Sequence, residues 1–150
     1  MPHWRTPMEE IKIGTGRKLR GGDELAILSL GHVGNYVVEV CDKFAKQNIK
    51  VAHYDMRFAK PLDEQMLHEI FSSYRKIITI EDGSIQGGFG SAILEFMADN
   101  NYSAEVRRLG IPDRIVEHGE QSELHQETGF DPAGIEKVVA EMLELISRSA

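Results

Sequence analysis

Glu81-Asp82-Gly83-Ser84-Ile85-Gln86-Gly87-Gly88-Phe89-Gly90-Ser91 and Asp55-Met56-Arg57-Phe58-Ala59-Lys60-Pro61-Leu62-Asp63 are the stretches whose reading decides the fold. Each follows a short apolar run, Lys76 to Ile80 in one case and Ile49 to Tyr54 in the other, and each opens a segment with apolar residues at helical spacing. After the first come Phe89, Ala92, Ile93, Phe96 and Met97; after the second, with Asp63 as N-cap, come Met66, Leu67, Ile70, Phe71 and Tyr74. Strand, loop and helix in that order is the repeating unit of a parallel sheet with helices on both faces. In such a fold the loops gather at the carboxyl ends of the strands.

The same unit extends in both directions. Upstream, Leu25 to Leu30 reads as a strand buried on both faces, followed by a helix with Val33, Val37, Val40, Cys41 and Phe44 inward. Before it, Gly16 to Arg20 reads as a short strand, and Gly21-Gly22-Asp23 as a tight connection of the hairpin type. Downstream, Glu105 to Leu109 is a fourth strand of the repeating pattern, ending at Gly110-Ile111-Pro112-Asp113. A short helix is expected over Gln121 to Glu127. A longer one is expected from Pro132, capped by Asp131, with Ile135, Val138, Val139, Met142, Leu143 and Ile146 as its apolar stripe.

The length of 150 residues suits one domain with one full core. A net charge of −7, spread along the chain, argues against a nucleic-acid or anionic-membrane partner. No apolar run is long enough for a membrane span, and the N-terminus lacks the apolar centre of a signal peptide, so a cytoplasmic protein is expected. One cysteine, Cys41, leaves no internal disulfide and no thiolate cluster, and its place in a helix stripe marks it as core.

Chemistry-bearing motifs are sparse. Gly87-Gly88-Phe89-Gly90-Ser91 ahead of a helix places backbone N–H groups and a helix dipole at one spot, which reads either as an anion site or as a sharp turn with close helix-to-sheet packing. It lacks the lysine of a P-loop, and Ile93 stands where a dinucleotide fingerprint requires a small residue. Gly31-His32-Val33-Gly34, with Asp55 ending the next strand, imitates that fingerprint with one glycine too few. Glu81 and Asp82 are adjacent and point to opposite sides of a strand end, which reads as solvated charge near a helix N-terminus. His3, His32, His53, His68, His118 and His125 form no i, i+4 pair, so no metal site is expected. Ser84 has Asp82 where a nucleophile elbow requires glycine. Arg57 and Lys60, just past a strand end, are either solvated or paired with a carboxylate of a neighbouring loop or domain.

Taken in order, the Asp55–Asp63 stretch, Glu81-Asp82 with Gly87–Ser91, Gly110-Ile111-Pro112-Asp113, and Gly129-Phe130-Asp131 with Gly134-Ile135 resemble the C-terminal domain of the 1-deoxy-D-xylulose-5-phosphate synthase family. Transketolases and the beta subunits of 2-oxoacid dehydrogenases carry related domains. Phe58 and the Gly-Ile-Pro-Asp run favour the synthase over them.

The resemblance implies a three-layer α/β/α domain with a five-stranded mixed sheet of order 1-3-2-4-5 and an antiparallel first strand, over residues 11–150 behind a lead segment of residues 1–10. That order conflicts with the hairpin reading of Gly21-Gly22 and is preferred to it. It also implies a crevice between the Gly31 loop and the Glu81–Gly90 loop.

The family condenses pyruvate with glyceraldehyde 3-phosphate on thiamine diphosphate and Mg²⁺, in the supply of isoprenoid, thiamine and pyridoxal precursors. Its Gly-Asp-Gly…Asn diphosphate motif and its activating glutamate belong to other domains, and neither motif occurs here. The resemblance therefore implies the last of three domains of a longer enzyme. No catalytic, cofactor-binding or metal residues are expected in it. Its partners are the other domains and the second subunit of a homodimer.

Gly31, His32, Gly34, Arg57, Glu81, Asp82, Gly87, Gly88, Gly90 and Ser91 remain as candidates for an anion site or a domain-docking surface, with Phe58, Ile85 and Phe89 as an exposed apolar patch. A stand-alone anion- or nucleotide-binding module and a protein-interaction module are the other classes of function compatible with these residues.

Overall fold

The computed structural model describes residues 9–114 and 119–146. Residues 1–8 of the lead segment, with His3, and His118 lie outside the described residues. Five strands, β1 (Arg17–Arg20), β2 (Leu25–Leu30), β3 (Ala52–Asp55), β4 (Lys76–Ser84) and β5 (Glu105–Ile111), form one sheet of order β1-β3-β2-β4-β5. β1 runs antiparallel to β3 and all other neighbours are parallel. The helices are α1 (Gly34–Ala45), α2 (Glu64–Ser73), α3 (Phe89–Asp99), α4 (Gln121–Thr128) and α5 (Pro132–Met142).

β2 is the central strand, and its sequence explains why. Leu25, Ala26, Ile27 and Leu28 are all fully buried, and alternate residues face opposite sides. Leu25 and Ile27 join α1 and α5 in one core cluster, with Val37, Cys41 and Phe44 from α1 and Ile135, Val139 and Met142 from α5. Ala26 and Leu28 join α2 and α3 in the other, with Leu67, Ile70, Phe71, Ile93 and Phe96. The helices cover both faces as the uninterrupted apolar strand requires. Two caps stand where the sequence puts them: Asp63 accepts from the Met66 amide at 3.0 Å, and Asp131 from the Gly134 amide at 2.9 Å.

Four features differ from the residue-level expectations. Gly21-Gly22 is not a hairpin turn, because β3 lies between β1 and β2. The connection crosses the end of β3 so closely that a Cβ on Gly22 would sit 2.2 Å from the Ala52 amide nitrogen, and the Asp23 amide bonds the Lys50 carbonyl at 3.1 Å. β4 continues past Ile80 to Ser84 through a register shift against β5, which carries Glu81 and Asp82 within the strand. Ile146 is 48% exposed, because α5 ends at Met142 and Glu144 adopts φ 61°, turning the chain off the helix line. Phe89, the first residue of α3, is buried in the core, while Phe58 and Ile85 are half-buried, so the three do not form an open patch.

Candidate functional site

From β2 the chain moves outward to β3 and then returns across β2 to β4, so the strand order reverses between β2 and β4. In open α/β sheets the crevice at such a point, outside the carboxyl ends of the strands, is where ligands bind. The Gly31 loop forms one wall. Gly31 takes φ +82°, and α1 starts so close to β2 that a Cβ on Gly34 would lie 2.9 Å from the Ser29 hydroxyl. Under this wall the buried His53 Nε2 meets Ser29 Oγ at 2.8 Å. Burial lowers the His53 pKa from 6.5 to about 4; Asp55 opposes that shift, and Arg20 and Arg17 reinforce it.

The loop after β4 forms the other wall, and its glycines serve packing. Glu81 is a buried carboxylate, not a solvated one, and it accepts from the amides of Phe89 at 2.7 Å and Gly90 at 2.9 Å. The first free N–H groups and the positive dipole of α3 are thus held by the protein's own anion. A Cβ on Gly88 would lie 2.1 Å from the Ser84 carbonyl, and one on Gly90 would lie 2.6 Å from Thr79 Oγ1. The Ser91 hydroxyl donates to the Ile85 carbonyl and accepts from the Gly87 amide and Arg108 Nη1, each within 2.9–3.0 Å. Arg108 also donates to the Ile85 carbonyl. An external anion at this loop would have to displace Glu81.

Asp82 points the other way, into the crevice. Its Oδ2 lies 3.5 Å from His32 Nε2, 3.6 Å from His125 Nε2 and 3.3 Å from Gln121 Nε2. His125 is buried on α4, with Nδ1 3.2 Å from the Tyr36 hydroxyl and its ring centroid 4.5 Å from that of Phe130. Beside this cluster opens a cleft of about 370 Å³ lined by Asp82, Ile111, Gln121, Leu124, His125 and Phe130.

The structure therefore brings His32 and Asp82 together at the expected crevice and leaves Arg57 apart. Arg57 sits at the end of β3 with φ 58°, its amide on Asp55 Oδ1 at 3.2 Å, and makes no ion pair among the described residues. Asp55 also accepts from Arg17 Nε at 2.9 Å, so the carboxylate in the ribose-acid position is engaged within the fold. His125 and Gln121, some 40 residues along the chain from Asp82, are the members that sequence spacing gave no signal for. A diphosphate is a poor fit here, since the crevice presents the Asp82 carboxylate and the α3 amides are taken by Glu81.

The fold and the crevice define a transketolase-type α/β/α domain. Residues 14–135 match the family model "Transketolase, C-terminal domain", and the chain belongs to that family. Among curated relatives, the 1-deoxy-D-xylulose-5-phosphate synthase of Cytophaga hutchinsonii is 63% identical over 139 residues, which is 93% of this chain and 22% of that protein. The synthase of the same name from Parabacteroides distasonis is 50% identical over 91% of this chain and 22% of its own length. The chain thus spans about a fifth of the length of the curated relatives it matches. Among solved structures, "Split gene transketolase, inactive beta4 tetramer" superposes with a TM-score of 0.85 at 25% identity, over 96% of this chain and 47% of that one. A transketolase from Campylobacter jejuni gives 0.61 at 14% identity over 85% and 18%, a likeness of fold.

Proposed function

We infer that this chain serves as the C-terminal, non-catalytic domain of a 1-deoxy-D-xylulose-5-phosphate synthase, a thiamine-diphosphate-dependent transferase. The observation that carries this reading is the 63% identity to the Cytophaga hutchinsonii synthase across 93% of the chain. Identity at that level, with the Phe58 and Gly110–Asp113 features, favours the synthase over a transketolase, to which the likeness is 25%. The proposed role is architectural. Residues 11–150 form the domain, which docks against the other domains of its parent and the second subunit of a homodimer in the cytoplasm. Thiamine diphosphate and Mg²⁺ are held by those other domains and supply the carbanion chemistry there. The self-capped α3 N-terminus and the Asp82 carboxylate in the crevice support that division. Apolar residues suited to docking include Ile11, Ile13 and Leu19, all exposed, in and before the edge strand β1.

The test is a transplant. This chain replaces the matching 139-residue stretch of the Cytophaga hutchinsonii synthase, and condensation of pyruvate with glyceraldehyde 3-phosphate is measured on the soluble chimera. Activity within a few-fold of the parent is the expected result. A folded dimeric chimera without activity, or turnover by this chain alone in a preparation free of host synthase, overturns the reading.

A further inference from the structure

The cluster at the switch point has the composition and spacing of a cation site, a property independent of the domain role inferred above. Two imidazoles and a carboxylate come from three separated segments: His32 after β2, Asp82 on β4 and His125 on α4. One ligand atom from each lies within 4.8 Å of the others. The Asp82–His32 and Asp82–His125 approaches, at 3.5 and 3.6 Å, are longer than hydrogen bonds. They are close to the edge of a coordination tetrahedron, since an ion about 2.0–2.1 Å from each ligand spaces them about 3.3–3.4 Å apart.

Three further observations point the same way. His125 is buried, and its other ring nitrogen meets the Tyr36 hydroxyl at 3.2 Å, the outer contact that orients a metal-binding imidazole. Gln121 reaches both His32 Nε2 and Asp82 Oδ2 at 3.3 Å, and a half-turn of its amide would present oxygen in the same place as a fourth donor. The His32 side chain is 51% exposed with its ring centroid 5.8 Å from that of His125, and the cleft beside the cluster gives an entry path. The carboxylate, and a chain charge of −7, oppose an anion in the same position.

We propose that His32, Asp82 and His125 bind one divalent cation of the zinc class, with Gln121 or water completing the shell. Imidazole with carboxylate selects a late first-row ion over Mg²⁺ or Ca²⁺, which take all-oxygen shells.

Zn²⁺ titrated by calorimetry into the chelator-stripped chain tests this, with Co²⁺ absorption reporting geometry. One equivalent should bind more tightly than about 10 μM, and Co²⁺ should show tetrahedral ligand-field bands. His32→Ala and Asp82→Asn alter side chains that reach solvent and should melt near wild type while weakening Zn²⁺ at least about tenfold; Tyr36→Phe, which acts through His125, should weaken it less. Absence of stoichiometric binding overturns the proposal. So does binding that His32→Ala and Asp82→Asn leave unchanged, since the ion would then sit elsewhere.

Discussion

Acidification should destabilise this fold through one buried histidine. His53 is 1% exposed, and its pKa falls from 6.5 to about 4, chiefly by burial. The unfolded chain takes up the proton near pH 6.5 and the folded chain resists it until about pH 4. Between those limits the unfolded state binds more protons, so stability falls as pH falls, and it levels off below the lower value. Going from about pH 7 to about pH 5, this difference amounts to a loss of about 2 kcal/mol, out of about 3 kcal/mol for the whole window. Other groups titrate over the same range, so the assay is a comparison. Urea unfolding is measured at both pH values for wild type and for His53→Gln, which keeps an amide nitrogen to face Ser29 but does not titrate. Wild type should lose about 2 kcal/mol more than the variant. A difference below about 0.5 kcal/mol refutes the reasoning. An NMR titration of the His53 ring with its midpoint near 6.5 refutes it even if the variant does not fold.

Gly88→Ala should lower stability by more than about 1 kcal/mol in a thermal melt, because its Cβ would lie 2.1 Å from a backbone carbonyl and 2.4 Å from Glu81 Oε2. A variant that melts with wild type would show that this loop is free to shift. Cys41 is 1% exposed, and burial raises its pKa to about 11. A thiol reagent at about pH 8 should therefore label the native chain only at its unfolding rate. Prompt labelling in native buffer would contradict the placement of Cys41 in the core.

The capping residues and helix faces were legible in the sequence because their signals are local. Asp63 and Asp131 bond amides three residues ahead, Val37, Val40, Cys41 and Phe44 repeat at the helical period, and Leu25 to Leu28 are apolar without alternation. The strand order was a different matter. Residue pattern alone reads Gly21-Gly22 as a hairpin, and the family likeness supplied the order in which β3 comes between β1 and β2. Pairing across a sheet joins residues far apart in the chain, and a turn signal says where the chain bends but not what lies beside it. Glu81 shows the same limit: beside Asp82 in sequence it looks like surface charge, and only the packing of α3 against β4 turns it into a buried cap. The His32, Asp82 and His125 group had no signature in spacing, because its members come from the loop after β2, strand β4 and helix α4, which meet only when the sheet order brings them together. The order of strands and helices and the apolar faces of β2, α1 and α2 follow from local pattern in the sequence, whereas the burial of Glu81, the extension of β4 to Ser84 and the exposure of Ile146 do not. The tertiary structure alone decided which polar groups share the crevice, since local periodicity carries no information about contacts between distant segments.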